Sequence, residues 1–214
     1  MSPKEKDPYQ VTSDSWNQVA QVYYEKFMDR DTYHDTYDLF CELVKQPRAK
    51  IFEIGCGPGN ITKYLLSKRP DFQVTGIDVA ENMVRLARKN NPTADFTVMD
   101  ARNIGSITER FHGIVCGFCM PYLSKKDIEK LVTDCAQLLH MGGILYLSTM
   151  EGREESSGYV TGSTGHQVYM YFHQEAFIRQ CLEAGSFEVL YLLWKHDPLN
   201  DGIPDMIFIA KKIS

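Results

Sequence analysis

"IFEIGCGPGNITKYL", residues 51–65, runs from an apolar segment through three glycines and a proline into a stretch with helical spacing. A glycine-rich turn leaving a buried strand lets the backbone approach a ligand closely, and in open α/β sheets ligands sit outside the carboxyl ends of the strands. The turn alone reads equally well as a tight strand-to-helix connection with nothing bound. Its surroundings decide.

Short apolar runs at 50–54, 72–79, 94–99, 113–118 and 143–149 alternate with helical periods at 60–68, 80–90 and 125–140. That alternation predicts a parallel sheet covered on both faces by helices. Two helices are expected before it, at 15–30, with Thr12, Ser13 or Asp14 as the N-cap, and at 33–45, stopped by Pro47. After a helix at 174–184, strands at 187–194 and 206–210 are joined by "KHDPLNDGIP" with no helix between them, so they should pair antiparallel. The biased stretch "EGREESSGYVTGSTG", residues 151–165, is expected to be a mobile loop.

The glycine spacing is Gly55-x-Gly57-x-Gly59-Asn60, whereas the dinucleotide fingerprint needs its third glycine at the position of Asn60. That argues against a nicotinamide-dependent oxidoreductase, which stays as an alternative. Asp78 ends the second strand and Asp100 the third. The first is placed to accept ribose hydroxyl protons and the second to meet the amino edge of a base, although either could be a helix N-cap. Beside the glycine turn they favour an adenosine site.

At this point the chain resembles the class I S-adenosylmethionine-dependent methyltransferases. "FEIGCGPGN" resembles their first motif, "GIDVAENMVRLAR" the acidic second and "VMDARNI" the third. "IVCGFCMPYL" and "LLHMGGILYLST" are similar to their fourth and fifth strands, and "WNQVAQVYY" to the helix that often precedes the core. The resemblance implies a Rossmann-like α/β fold with a seven-stranded, mostly parallel sheet in the order 3-2-1-4-5-7-6, the last strand antiparallel, and S-adenosylmethionine as cofactor. It also implies that the backbone at Gly55 and Gly57 faces the methionine part and that Asp78 binds the ribose. Val79 and Met83 would pack near the adenine, Asp100 and Ala101 would meet its polar edge, Cys116 would offer its backbone to the methionine amine, and Tyr23 would close the pocket. His112 stands where many relatives have Asp, and beyond Leu147 the resemblance transfers no substrate residues.

Methyl transfer from a sulfonium is an in-line displacement that needs no protonated leaving group, so positioning and exclusion of water are the protein's main tasks. A base is needed only where the nucleophile must lose a proton early. The catalytic candidates are Tyr122, after the fourth strand, which reads equally as a packing residue, and His173, in "HQVYMYFHQEAF" over the expected acceptor mouth, which reads more readily as a capping or surface residue. Tyr169 and Tyr171 alternate there with Val168, Met170 and Phe172, consistent with a short strand. Cys116-x-x-Cys119 lacks a second pair, so no metal site is expected. "MPY" lacks the leading polar residue of the loop used by amino-methylating nucleic-acid enzymes.

With 214 residues, 43% of them hydrophobic, the chain can bury one sizeable core. Residues 1–48 are expected to be a helical cap within the same domain as the 49–214 core. A net charge of −5 without a basic stripe argues against a nucleic-acid partner, and no apolar run approaches the roughly 18 residues of a membrane span. Six scattered cysteines and a polar start without a secretory pattern suit the cytoplasm. The expected acceptor is a small molecule; acceptor identity and oligomeric state are not readable, and a non-catalytic cofactor-binding module is the alternative to an enzyme.

Overall fold

The computed structural model describes residues 7–197 and 202–214. Helices α1 (Pro8–Phe27) and α2 (His34–Leu43) precede the alternating part, β1 (Lys50–Ile54), α3 (Asn60–Lys68), β2 (Gln73–Asp78), α4 (Glu81–Asn90) and β3 (Asp95–Val98). It continues with β4 (Phe111–Cys116), α5 (Lys125–Leu138) and β5 (Leu139–Met150). A two-stranded hairpin, β6 (Gly158–Thr161) and β7 (Gln167–Met170), then leads to α6 (Glu175–Ala184), β8 (Phe187–His196) and β9 (Pro204–Lys212). The main sheet has the order β3-β2-β1-β4-β5-β9-β8; with the hairpin set aside, this is the order the resemblance implies. β9 runs antiparallel to both its neighbours, as the missing crossover helix requires.

The period of two along β1 sends Ile51 to one face of the sheet and Phe52 to the other. Ile51 joins Phe40, Leu65 and Tyr146 under α2 and α3, whereas Phe52 joins Phe111, Ile128 and Phe208 under α5 and α6. Because β1 to β4 are parallel, their carboxyl ends share one rim, and the strand order reverses between β1 and β4. A crevice is expected there.

Two expectations are corrected. Helix α1 starts at Pro8, not at residue 15: Asp7 caps it through the Tyr9 N–H at 3.1 Å, and Pro8 sits where its missing N–H costs nothing. Thr12 and Ser13, expected as caps, are therefore interior helical residues. The 151–165 stretch is not a loop throughout, since residues 158–161 form β6 and pair with β7 through Tyr159 opposite Tyr169 and Val160 opposite Val168. The hairpin is fastened to α1: the Tyr169 N–H donates to Thr12 Oγ1 at 2.9 Å, and Ser15 Oγ donates to the Gln167 carbonyl. Among the described residues no helix is long and apolar enough to cross a membrane.

Candidate functional site

The glycine turn closes on itself through the Gly59 N–H to the Cys56 carbonyl at 2.9 Å, with Gly55, Gly57 and Gly59 all at positive φ. Their reasons differ. A Cβ on Gly55 would lie 2.8 Å from Cys119 Cβ and one on Gly59 2.3 Å from Asn91 Nδ2, so both positions are crowded by the protein itself. At Gly57 the nearest atom would be Tyr23 Cε1 at 3.8 Å, which leaves this part of the turn open to a cavity.

The turn also aims Asp78. Its Oδ2 accepts the Gly57 N–H and its Oδ1 the Ala80 N–H, both at 2.9 Å. The Val79 N–H also acts on this carboxylate, which lines the cavity. Burial raises the carboxyl pKa, and the backbone N–H groups oppose that shift. Asp100 is placed differently. It caps a 3₁₀ turn (Ala101–Ser106) through the Arg102 N–H at 2.8 Å, and its carboxylate is gripped by the Arg102 side chain, Nε at 3.0 Å and Nη2 at 2.6 Å. Arg102 and its own backbone thus occupy much of the acceptor capacity expected for a base edge. The guanidinium lies over the Tyr9 ring at 3.8 Å.

The cavity volume is about 160 Å³. The sequence-derived residues on its walls are Gly55, Gly57, Asp78, Val79, Met83, Asp100, Ala101, Tyr23 and Tyr122. Cys116 is not among them: it is fully buried at the end of β4, and Gly117, Phe118 and Cys119 form that wall instead. His173 also lies off the wall. It is buried, its Nε2 faces the Leu123 carbonyl at 3.1 Å, and burial lowers its pKa, so it is a packed neutral imidazole instead of a base at the mouth.

Sequence reading missed Tyr9, Thr12 and Ser13, which line the cavity with Trp16. The signal was present, because 9, 12, 13, 16 and 23 follow the spacing of one helical face, but it was hidden by placing the helix start too late. Trp16 packs edge-on against Tyr23 at 5.4 Å and Tyr122 at 5.5 Å. Burial pushes the Tyr23 phenol up to about 12 and that of Tyr122 further still, so both are neutral donors near neutral pH.

Glu53, missed as an acid inside an apolar strand, is fully buried beneath the turn, with Thr62 donating to it through Oγ1 and its Oε1 unpartnered among the described residues. Desolvation lifts its pKa from 4.5 to about 8. A raised folded-state pKa means a stability contribution present at low pH and lost as the pH rises through that value. Relative to Glu53→Gln, the wild-type protein is therefore expected to lose stability between pH 4.5 and about 8. Urea unfolding midpoints of both proteins across this range check it; parallel curves would mean that Glu53 titrates normally.

The Asp78 carboxylate on the cavity wall and the open backbone at Gly57 fit a ribose and its extension, so the walls suit S-adenosylmethionine. A family profile described as "Methyltransferase domain" matches residues 51–143. The chain is 33% identical over 97 residues to "Putative methyltransferase 235L" of Invertebrate iridescent virus 6, covering 45% of this chain and 36% of that protein. It is 27% identical over 140 residues to "Trans-aconitate 2-methyltransferase" of Variovorax paradoxus (strain S110), covering 65% and 52%. The chain thus spans between about a third and a half of the length of these curated relatives. The magnesium protoporphyrin IX methyltransferase of Synechocystis PCC 6803, solved with bound S-adenosylmethionine, superposes with a TM-score of 0.74 at 16% identity over 99% of this chain and all of that one, a likeness of fold. Over residues 51–143 the chain thus matches a methyltransferase domain, and its sheet order is the one that its resemblance to the class I S-adenosylmethionine-dependent methyltransferases implies.

Proposed function

We propose that this chain binds S-adenosylmethionine in the rim cavity and transfers its methyl group to a small-molecule acceptor in the cytoplasm. The observation that carries the reading is Asp78, a carboxylate pinned on the cavity wall by the Gly57 and Ala80 N–H groups beside the glycine turn. When bound, the cofactor supplies a methyl group on a sulfonium, a carbon already activated for displacement. Asp78 and the backbone at Gly55 and Gly57 would hold it, with Val79, Met83 and Ala101 beside the base. The Asp100–Arg102 pair makes the base end a charged wall. We read the 1–48 segment as a cap on the 49–214 core; its α1 face lines the cavity, with the hairpin fastened to α1, and keeps water from the reacting atoms. Tyr122 and Tyr23 stay protonated near neutral pH and serve as ring surfaces and hydroxyl donors, not bases. Six free cysteines support a reducing setting.

Calorimetric titration with S-adenosylhomocysteine tests the cofactor half. Hydrogen exchange is expected to show added protection in the glycine turn, α1 and the β6–β7 hairpin together. Protection confined to the turn would mean that α1 and the hairpin do not close over the ligand. No heat of binding would remove the proposal.

A further inference from the structure

The rim opposite the glycine turn holds a second cavity. Pairing between β4 and β5 jumps from Phe111 opposite Leu139 to Gly113 opposite Ile144, so His112 alone faces residues 140–143. A strand that takes up extra residues bends away from its partner and re-aims its side chains. Here the excursion, with Gly142 at φ +76, borders a cavity of about 480 Å³, against about 160 Å³ beside the glycine turn. It lies at the amino ends of β4 and β5 and shares no wall residue with the site described above.

The charged lining is mostly basic. His112 and His140 line the cavity with their rings 4.8 Å apart, Lys45 lines it from beyond the end of α2, and Lys211 from β9. A Cβ on Gly142 would lie 3.8 Å from Lys211 Cε, which puts the lysine chain beside the excursion. Among the described residues the side chains of Lys45, Lys211 and His140 make no hydrogen bond or ion pair. Glu188 is the acid on this wall; it stands opposite Lys211 in the β8–β9 register, with no ion pair between them.

His112 separates a metal site from an anion site. Its Nδ1 accepts the Lys50 backbone N–H at 3.0 Å, so the neutral ring carries its proton on Nε2. A metal at Nε2 would need that proton removed, and among the described residues no group of three ligands is placed to hold a metal. An anion uses the proton where it is. His140 offers a ring N–H in either tautomer, and the two ammonium groups add donors from other elements. Donors on four separate elements suit a tetrahedral oxyanion better than a planar carboxylate. Leu43, Val44, Ile144 and Leu190 line the same cavity and give an apolar body a place to lie.

We infer that this second cavity binds an organic phosphate monoester, its phosphoryl group held by His112, His140, Lys45 and Lys211 and its apolar part set against Leu43 and Leu190. The site stands apart from the methyl-transfer reading and does not depend on it. Phenyl phosphate, inorganic phosphate, benzoate and phenol, each titrated into the full chain at fixed pH and ionic strength, provide the test. NMR follows the imidazole Cε1–H resonances of His112 and His140, assigned from His112→Gln and His140→Gln.

Phenyl phosphate is expected to shift both resonances saturably and to bind about 10-fold more tightly than inorganic phosphate or benzoate, with no shift from phenol. In Lys211→Gln its affinity is expected to fall about fivefold, and saturation with S-adenosylhomocysteine is expected to leave it unchanged. Benzoate or phenol binding as tightly as phenyl phosphate overturns the phosphoryl assignment, and inorganic phosphate binding as tightly overturns the ester. The site itself is overturned if phenyl phosphate shifts neither histidine at millimolar concentration, or if S-adenosylhomocysteine competes with it. Unchanged affinity in a Lys211→Gln variant whose circular dichroism matches the wild type overturns it equally.

Discussion

Replacing Asp78 by alanine is expected to weaken S-adenosylhomocysteine binding at least 100-fold. Two charge-assisted hydrogen bonds to the ribose would be lost, each contributing about 1.5–3 kcal/mol. The loss reaches the turn as well, because the Gly57 N–H and the Ala80 N–H both donate to this carboxylate at 2.9 Å and would be left without it. Asp78→Asn should not restore binding, since an amide would turn an N–H toward one of those two backbone donors. Calorimetry on variants whose circular dichroism matches the wild type decides the matter. An affinity within threefold of the wild type would take Asp78 out of the site.

Gly59→Ala is expected to destabilise the protein by about 2–5 kcal/mol, combining about 1–2 kcal/mol for a left-handed backbone with about 1–3 kcal/mol for overpacking. At φ +83 its new Cβ would fall 2.3 Å from Asn91 Nδ2 and 3.2 Å from Ala87 Cα. Asn91 cannot give way freely, because it is buried and its Nδ2 donates to the Gly59 carbonyl at 3.0 Å. Gly57→Ala meets no such crowding and should cost only the backbone strain. Urea unfolding should therefore rank Gly59→Ala well below Gly57→Ala, while S-adenosylhomocysteine affinity ranks them the other way. Equal stabilities would show that the Asn91 contact relaxes without cost.

Features set by local pattern were legible in the sequence. The strands of the main sheet and the helices α3 to α6 follow from periodicity, and Asp78 from its place at a strand end. Features set by distant contacts were not. Asp100 is turned toward Arg102, two residues on, and the Arg102 guanidinium is backed by Tyr9, whose hydroxyl donates to Asp127. The hairpin needs Thr12 and Ser15 of α1 to fasten β7, a contact across more than 150 residues. His173 looked available because its sequence neighbours are polar and aromatic, yet the fold buries it against the loop that follows β4. The resemblance gave Gly55 and Gly57 the same role, whereas packing leaves only Gly57 open.

The place of β9 bears on how the chain assembles. β9 is the last strand of the sheet in chain order, yet it lies inside the sheet, hydrogen-bonded to β5 from Ile144 opposite Lys211 to Met150 opposite Asp205, with residues 205–210 buried. On the ribosome, β1 to β5 can pair as they emerge, but the outer edge of β5 then stays bare until residues 204–212 arrive. That edge is a template for unwanted pairing with other chains during the interval. Completion of the sheet is thus set by long-range closure, and a nascent chain stalled before residue 204 would expose an apolar strand edge to chaperones.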